Sequence, residues 1–164
     1  SVASRGLGDV YKRQMLVDLA RNDLSKVCEP GSVQVDEMMI VEKYSHVMHM
    51  TSNVIGRKIE NKTQVDCLKA AIPAGTLSGA PKIRAMELLS ELEGRPRGIY
   101  GGAVGYLGYN GSLDTAIVIR TAIHYKDCVQ VGIGAGIVHD SVPENEWNET
   151  EAKLAVFREV LKYK

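Results

Sequence analysis

The sequence predicts an α+β protein, with helices packed on a largely antiparallel sheet. Three observations lead there. Apolar segments of strand period are separated by tight-turn signals such as Asn110-Gly111 and Lys126-Asp127. Segments of helical period are bounded by Gly or Pro, and a glycine-studded apolar run, Val131 to Val138, feeds a helix that opens at Pro143. Strands joined by turns this short must be antiparallel neighbours.

The 164 residues are enough for one domain with one core, and the 45% hydrophobic share is that of an ordinary globular protein. Twenty basic and twenty acidic residues cancel, so the chain lacks the electrostatic footprint of a nucleic-acid or anionic-membrane binder. No apolar run approaches the length of a bilayer span, and no signal-peptide pattern opens the chain. Cys28, Cys67 and Cys128 are odd in number and lack CxxC spacing, which suggests reduced thiols in a cytoplasmic protein.

Residues 1–14 (SVASRGLGDVYKRQ) show neither helical nor strand periodicity and join abruptly to an apolar run. They resemble translated adaptor sequence and are expected to be a non-native leader, leaving 15–164 for the fold. An uninterrupted native reading frame across Gln14 and Met15 in the genome would refute this. Met15 to Leu19 reads as a short buried strand and Ala20 to Val27 as a turn into a short helix, stopped by Glu29-Pro30-Gly31-Ser32. Ser32 to Ile59 alternates as two strands bent near Tyr44-Ser45. His46 and His49 are three apart, so on a strand they face opposite sides and cannot share a metal.

Asn61-Lys62-Thr63 is a turn, and Val65 to Ile72 a helix with Leu68 and Ile72 inward, ended by Pro73. Pro73 to Lys82 is a loop of small and hydroxylated residues opening a helix from Pro81 to about Glu93, with Pro81 in its first turn. Such a loop suits an anionic or keto oxygen, and it serves equally as an efficient helix start. Ala85, Leu88, Leu89 and Leu92, with Met86 beside them, form the stripe expected to be buried, and Gly94 ends the helix. From Ile99 onward three strands follow, Tyr100–Tyr109, Leu113–His124 and Val129–Val138. Arg120 then projects from the middle of a central apolar strand. A buried guanidinium needs either a protein carboxylate or a ligand carboxylate, and the ligand is favoured.

The run Val131-Gly132-Ile133-Gly134-Ala135-Gly136-Ile137-Val138 is the centre of the functional reading. Glycines let a ligand approach bare backbone N–H groups, although they also merely let another strand pack close. A dinucleotide fingerprint would need a helix directly behind the glycines, whereas Ile137, Val138 and His139 continue the apolar strand. In the following helix Ser141 is placed to cap, and Glu144 and Glu146 sit at the positive end of the dipole. Trp147, Leu154, Phe157 and Leu161 form a stripe expected to be buried. Glu146, Glu149 and Lys153 recur on a neighbouring stripe, about 100° away. An i,i+4 ion pair would account for them, but hard carboxylate oxygens beside an anion pocket also suit Mg²⁺ bridging protein and substrate.

The segments Val17–Leu24, Met48-His49-Met50, Gly75–Lys82, Tyr100–Tyr106, Asp114–Arg120 and Gly134-Ala135-Gly136 through Glu149-Thr150 together resemble the chorismate-utilising enzymes, the anthranilate synthase large subunits in particular. The resemblance covers 15–164 and only the C-terminal part of that family's chain, a partial chorismate-binding fold. It implies an Mg²⁺-dependent lyase of tryptophan biosynthesis that converts chorismate and ammonia to anthranilate and pyruvate. A glutamine amidotransferase partner would supply the ammonia. It further implies that Gly134, Ala135 and Gly136 offer N–H groups to a chorismate carboxylate with Lys153 adding charge, and that Arg120 and Tyr100 hold the enolpyruvyl part. Glu149, assisted by Glu146, would bind Mg²⁺; His49 would sit by the departing 4-hydroxyl, and Thr76 would position the ring. Such a pocket requires these groups to converge. One departure stands out: the family carries a further magnesium-binding Glu three residues before Met15, where this chain has Lys12. The aminodeoxychorismate synthase branch of the same family, and a non-catalytic dicarboxylate-binding module, are the competing readings.

Overall fold

The computed structural model describes residues 7–43 and 48–161, with side chains from Gln14 to Lys43 and from Met50 to Leu161. The chain divides into two units. The first comprises the described residues up to Gly75 together with Leu107–Ser112, and the second comprises Thr76–Tyr106 and the described residues from Leu113 onward.

In the first unit, helix α1 (Leu7–Ser25) packs against the strand pair β1 (Gln34–Lys43) and β2 (Met48–Ile55) and against helix α2 (Gln64–Ala71). Met15 to Leu19 is therefore helix, not the expected strand, and Leu7–Gln14, for which no periodicity was found, lies in the same helix. The physical reason is visible in the burial. Val17, Ala20, Leu24 and Val27 turn inward at spacings of three and four, with Val17 and Val27 buried, and Arg21 pairs with Asp18 one turn away at 3.0 Å. A short apolar run alone does not distinguish strand from buried helix.

β1 and β2 pair antiparallel as expected, Gln34 opposite Ile55 and Glu42 opposite His49. The pairing carries irregularities between Val35 and Ile40, where Met39 adopts φ 54° and its N–H donates to Ser52 Oγ at 2.9 Å. The expected bend at Tyr44-Ser45, and His46, lie outside the described residues. Helix α2 is closed by a capping box: Thr63 Oγ1 accepts from Asp66 N–H at 3.2 Å while Asp66 Oδ2 accepts from Thr63 N–H at 2.8 Å.

In the second unit, the Gly75–Ser78 segment, whose first residue belongs to the other unit, forms a one-turn helix, α3, and α4 spans Lys82–Glu93. Pro81 is the residue that precedes α4 rather than a member of its first turn, and Gly94 ends the helix at φ 59°. The expected stripe of α4 is not buried: Leu92 is 81% exposed, and Leu88 and Met86 are exposed too. Strands β3 (Ala103–Leu107) and β4 (Leu113–Ile117) form one hairpin around Asn110-Gly111, and β5 (Ala122–His124) pairs antiparallel with β6 (Val129–Val131). The α+β class stands, as does the antiparallel pairing of β1 with β2 and of β5 with β6, but among the described residues the sheet is divided into three two-stranded pieces instead of being continuous.

The break between β4 and β5 falls at Arg120. It takes φ 50°, in the left-handed region, and is exposed, flanked by a tight Ile119 N–H to Ile117 carbonyl bond of 2.9 Å. The expectation of a buried guanidinium in a central strand is thus overturned. β6 likewise ends at Val131, so Gly132–Val138 is irregular chain without strand pairing. Helix α5 (Pro143–Leu161) begins where expected, yet Trp147 is 65% exposed and Leu161 is exposed, with Leu154 and Phe157 half-buried. Among the described residues only Val17, Val27, Cys28, Ala74 and Val118 are buried hydrophobics, and no helix is long and apolar enough to cross a membrane.

Candidate functional site

Tyr100 sits in the turn that follows α4. The turn is anchored to buried Val118 by two backbone bonds of 2.9 Å, Gly101 N–H to the Val118 carbonyl and Val118 N–H to the Gly102 carbonyl. This places the Tyr100 ring along the glycine segment. A Cβ at Gly132 would lie 2.8 Å from the ring, and one at Gly134 would lie 3.1 Å from the Tyr100 hydroxyl. Glycine is required at position 132 because the aromatic face occupies the space a side chain would need.

Helix α5 reaches the same segment from its first three turns. Lys153 Nζ donates to the Gly134 carbonyl at 2.9 Å and pairs with Glu149 at 2.7 Å. Nearer the helix start, Ser141 Oγ donates to Glu146 Oε1 at 2.6 Å and accepts from Val138 N–H at 3.0 Å. Ser141 does not cap the helix. The N–H groups of Asn145 and Glu146 go to the Val142 carbonyl at 3.0 and 3.1 Å, and the hydroxyl instead ties the end of the glycine segment to a helix carboxylate. Tyr100, Gly134, Lys153 and Glu149 therefore form one connected set, with Ser141 and Glu146 a second link between the same two elements.

Beside this set is a cavity of about 900 Å³ lined by Arg97, Tyr100, Ile133, Ala135, Glu146 and Trp147 among others. Of the expected site residues, Tyr100, Ala135 and Glu146 face it; Thr76, Arg120, Gly134, Gly136, Glu149 and Lys153 belong to the same unit but not to its lining, so the expected convergence of Arg120, Ala135 and Glu149 on one hollow is not seen in this cavity. Arg120 stands in the exposed break after β4, and among the described residues no hydrogen bond or ion pair engages its guanidinium. The backbone of His49 lies in β2 of the first unit, and its side chain is outside the described residues.

Glu146 and Glu149 lie one turn apart on α5 and are the candidate metal ligands. Among the described residues no group of three or more His, Cys, Asp or Glu is placed to hold a metal ion. Glu146 faces the cavity and Glu149 is paired with Lys153 at 2.7 Å, so these two carboxylates would supply at most part of an Mg²⁺ shell, the other positions going to water and substrate oxygens.

Residues that the sequence reading passed over complete the surroundings. Arg97 donates to both oxygens of Glu93, at 2.8 and 2.6 Å, and its guanidinium stands 5.8 Å from the Tyr100 ring centre. The hydrogen bonds from Arg97 hold the Glu93 carboxyl below the usual carboxylate range, and Glu93 raises Arg97 in turn. The i,i+4 spacing of Glu93 and Arg97, with Arg97 three residues before Tyr100, was the available signal.

The family model "chorismate binding enzyme" matches residues 13–159. The chain belongs to the chorismate binding enzyme family. Its relatives include anthranilate synthase component 1 of Pseudomonas aeruginosa, 54% identical over 153 residues, which are 93% of this chain and 31% of the relative. The Aquifex aeolicus protein of the same name is 55% identical over 139 residues, covering 85% of this chain and 28% of that one. The chain thus spans about a third of the length of the curated relatives it matches. The crystal structure of anthranilate synthase component I from Streptococcus pneumoniae superposes with a TM-score of 0.84 at 50% identity, over 90% of this chain and 34% of that one. A Bacillus anthracis structure described as a 2,3-dihydroxybenzoate-specific isochorismate synthase reaches the same TM-score, 0.84, at 24% identity, which speaks to fold alone.

Proposed function

We propose that this chain is the C-terminal part of an anthranilate synthase large subunit, which makes anthranilate and pyruvate from chorismate in the cytoplasm. The observation that carries the reading is the set of Tyr100, Gly134, Lys153 and Glu149, in which an aromatic hydroxyl, glycine backbone, an ammonium and a carboxylate lie together. A dianionic substrate needs N–H and cationic donors, and loss of a hydroxyl needs developing charge to be stabilised.

In this reading the amides of Gly134, Ala135 and Gly136 receive a chorismate carboxylate, with Lys153 supplying charge. Tyr100 and Arg120 hold the enolpyruvyl group. Arg120 is suited to that role by its exposure and by a backbone conformation that costs on the order of 1 kcal/mol for a residue with a Cβ. Thr76 positions the ring, and the resemblance assigns the departing 4-hydroxyl to His49. Glu149 and Glu146 would hold Mg²⁺, which supplies Lewis-acid stabilisation of the substrate carboxylate when bound. A glutamine amidotransferase partner delivers ammonia to the complete subunit. The resemblance implies a further magnesium-binding Glu at the position where this sequence has Lys12, so this chain alone is expected to have no synthase activity.

Calorimetric titration with chorismate, with and without Mg²⁺, tests the reading. Affinity that rises with Mg²⁺ is expected. Binding of equal strength to unrelated dicarboxylates, indifferent to Mg²⁺, would favour a generic binding module, and ammonia-dependent anthranilate fluorescence from the purified chain would overturn the predicted inactivity.

A further inference from the structure

Between α4 and the Tyr100 turn, one side chain connects three elements. Arg97 is gripped by both oxygens of Glu93 at 2.8 and 2.6 Å. A third donor, Nη1, reaches back twenty residues to the Leu77 carbonyl at 2.7 Å, and the plane of charge stands 5.8 Å from the Tyr100 ring centre. The guanidinium side chain is 29% exposed, so these contacts are partly shielded from water and worth more than those of a surface pair. Leu77 also lies close to the turn itself, its Cδ1 being 3.3 Å from where a Cβ of Gly101 would be. Leu77 immediately follows Thr76, and Tyr100 immediately precedes Gly101.

We propose that Arg97 is a positioning residue that clamps the Thr76–Leu77 turn to Tyr100 and so sets the spacing between the two groups meant to receive the substrate ring and its enolpyruvyl arm. The clamp rests on the chorismate reading only for what it positions. The planar fork explains why the residue is Arg: one face serves the aromatic ring while separate edges serve the carboxylate and the carbonyl, a combination that an ammonium cannot make at one time. Glu93 fixes the rotamer, and without it the long side chain would be free to leave the Leu77 carbonyl. Helix α3 is one turn long, and this bond from outside it reaches a carbonyl near its C-terminal end.

The test uses the 164-residue chain labelled in leucine methyls and tyrosine rings, with Arg97→Gln, Arg97→Lys and Glu93→Gln compared by NMR and by chorismate titration. In Arg97→Gln the magnetisation transfer between the Leu77 methyls and the Gly101 α-protons is expected to vanish and the Tyr100 ring signals to shift, while amide protection in α5 stays as in the parent. Chorismate affinity should fall about tenfold, the loss of a charge-assisted bond. Arg97→Lys should not rescue either readout, which separates a clamp from a simple need for positive charge. Should Arg97→Gln lose α5 protection, Glu93→Gln, which keeps guanidinium and ring, decides: an intermediate loosening of Leu77 supports the clamp, and an unchanged Leu77–Gly101 contact overturns it. A parent chain that binds no chorismate, yet loses the Leu77–Gly101 contact on substitution, keeps the clamp and removes the substrate reading. A contact that persists in Arg97→Gln removes the clamp whatever binds.

Discussion

A methyl group added at Gly136 would meet nothing within 4 Å, whereas one added at Gly132 would meet the Tyr100 ring at 2.8 Å. The two glycines therefore answer different questions. Gly132→Ala should cost about 1–3 kcal/mol through overpacking and displace the Tyr100 signals, as read by denaturant melts and NMR. Gly136→Ala should leave stability within about 1 kcal/mol of the parent, yet reduce chorismate affinity, because the methyl stands where the ligand must approach the amides. Equal binding by parent and Gly136→Ala would remove position 136 from the site. Lys153 offers a second separation. Its bond to Glu149 joins side chains that are 34% and 52% exposed, so losing it changes stability by only a few tenths of a kcal/mol. Lys153→Met is expected to raise Mg²⁺ affinity, by freeing the Glu149 carboxylate, and to lower chorismate affinity, by removing a cation. Calorimetry in which both constants move in the same direction would contradict the division of roles. The residues that carry these expectations were legible in the sequence because their chemistry is local. For Arg97 only the spacing from Glu93 was legible, since its Leu77 partner lies twenty residues away and is a backbone carbonyl that no side-chain pattern encodes.

At the scale of elements, α2 gives a pH-dependent test. The backbone bond from Thr63, then its hydroxyl, holds the Asp66 carboxyl below its ordinary range. A depressed carboxyl stabilises the folded form fully above the unfolded value, about 3.9 for Asp, and that contribution fades as pH falls through the lower folded value. Amide exchange in α2 should therefore accelerate as pH falls below about 4, beyond the intrinsic trend. Thr63→Ala, which removes the hydroxyl bond and keeps the backbone one, should weaken the dependence, and Asp66→Asn should abolish it. An α2 that gains protection in acid would contradict it. Helices α2 and α5, strands β1 and β2 and the Asn110-Gly111 hairpin were readable because period, cap and turn chemistry agree there. Two failures have physical causes. Met15 to Leu19 was too short a run to separate strand from helix, and the break at Arg120 arises from one left-handed residue inside an unbroken apolar string. The stripes of α4 and α5 were read correctly as periodic. Periodicity shows which face seeks cover, not whether this chain supplies it.

Over the whole molecule that distinction becomes large. Ile83, Leu92, Ile137, Trp147 and Val160 are each more than 60% exposed, and the chain spans 31% of its Pseudomonas aeruginosa relative. A hydrophobic fluorescent dye should bind the isolated chain strongly, and unfolding followed by Trp147 fluorescence and by far-ultraviolet dichroism should give non-coincident transitions. Coincident, steep transitions with no dye binding would show that the exposed faces need no cover. The central claim is that the glycine segment and the start of α5 together receive a chorismate carboxylate. Its most direct test is chorismate titration of the ¹⁵N-labelled chain in the presence of Mg²⁺, following each backbone amide. The expected result is saturable shifts at Gly134, Ala135 and Gly136, with the largest change among all resolved amides there. Shifts that saturate elsewhere while these three stay fixed would contradict it.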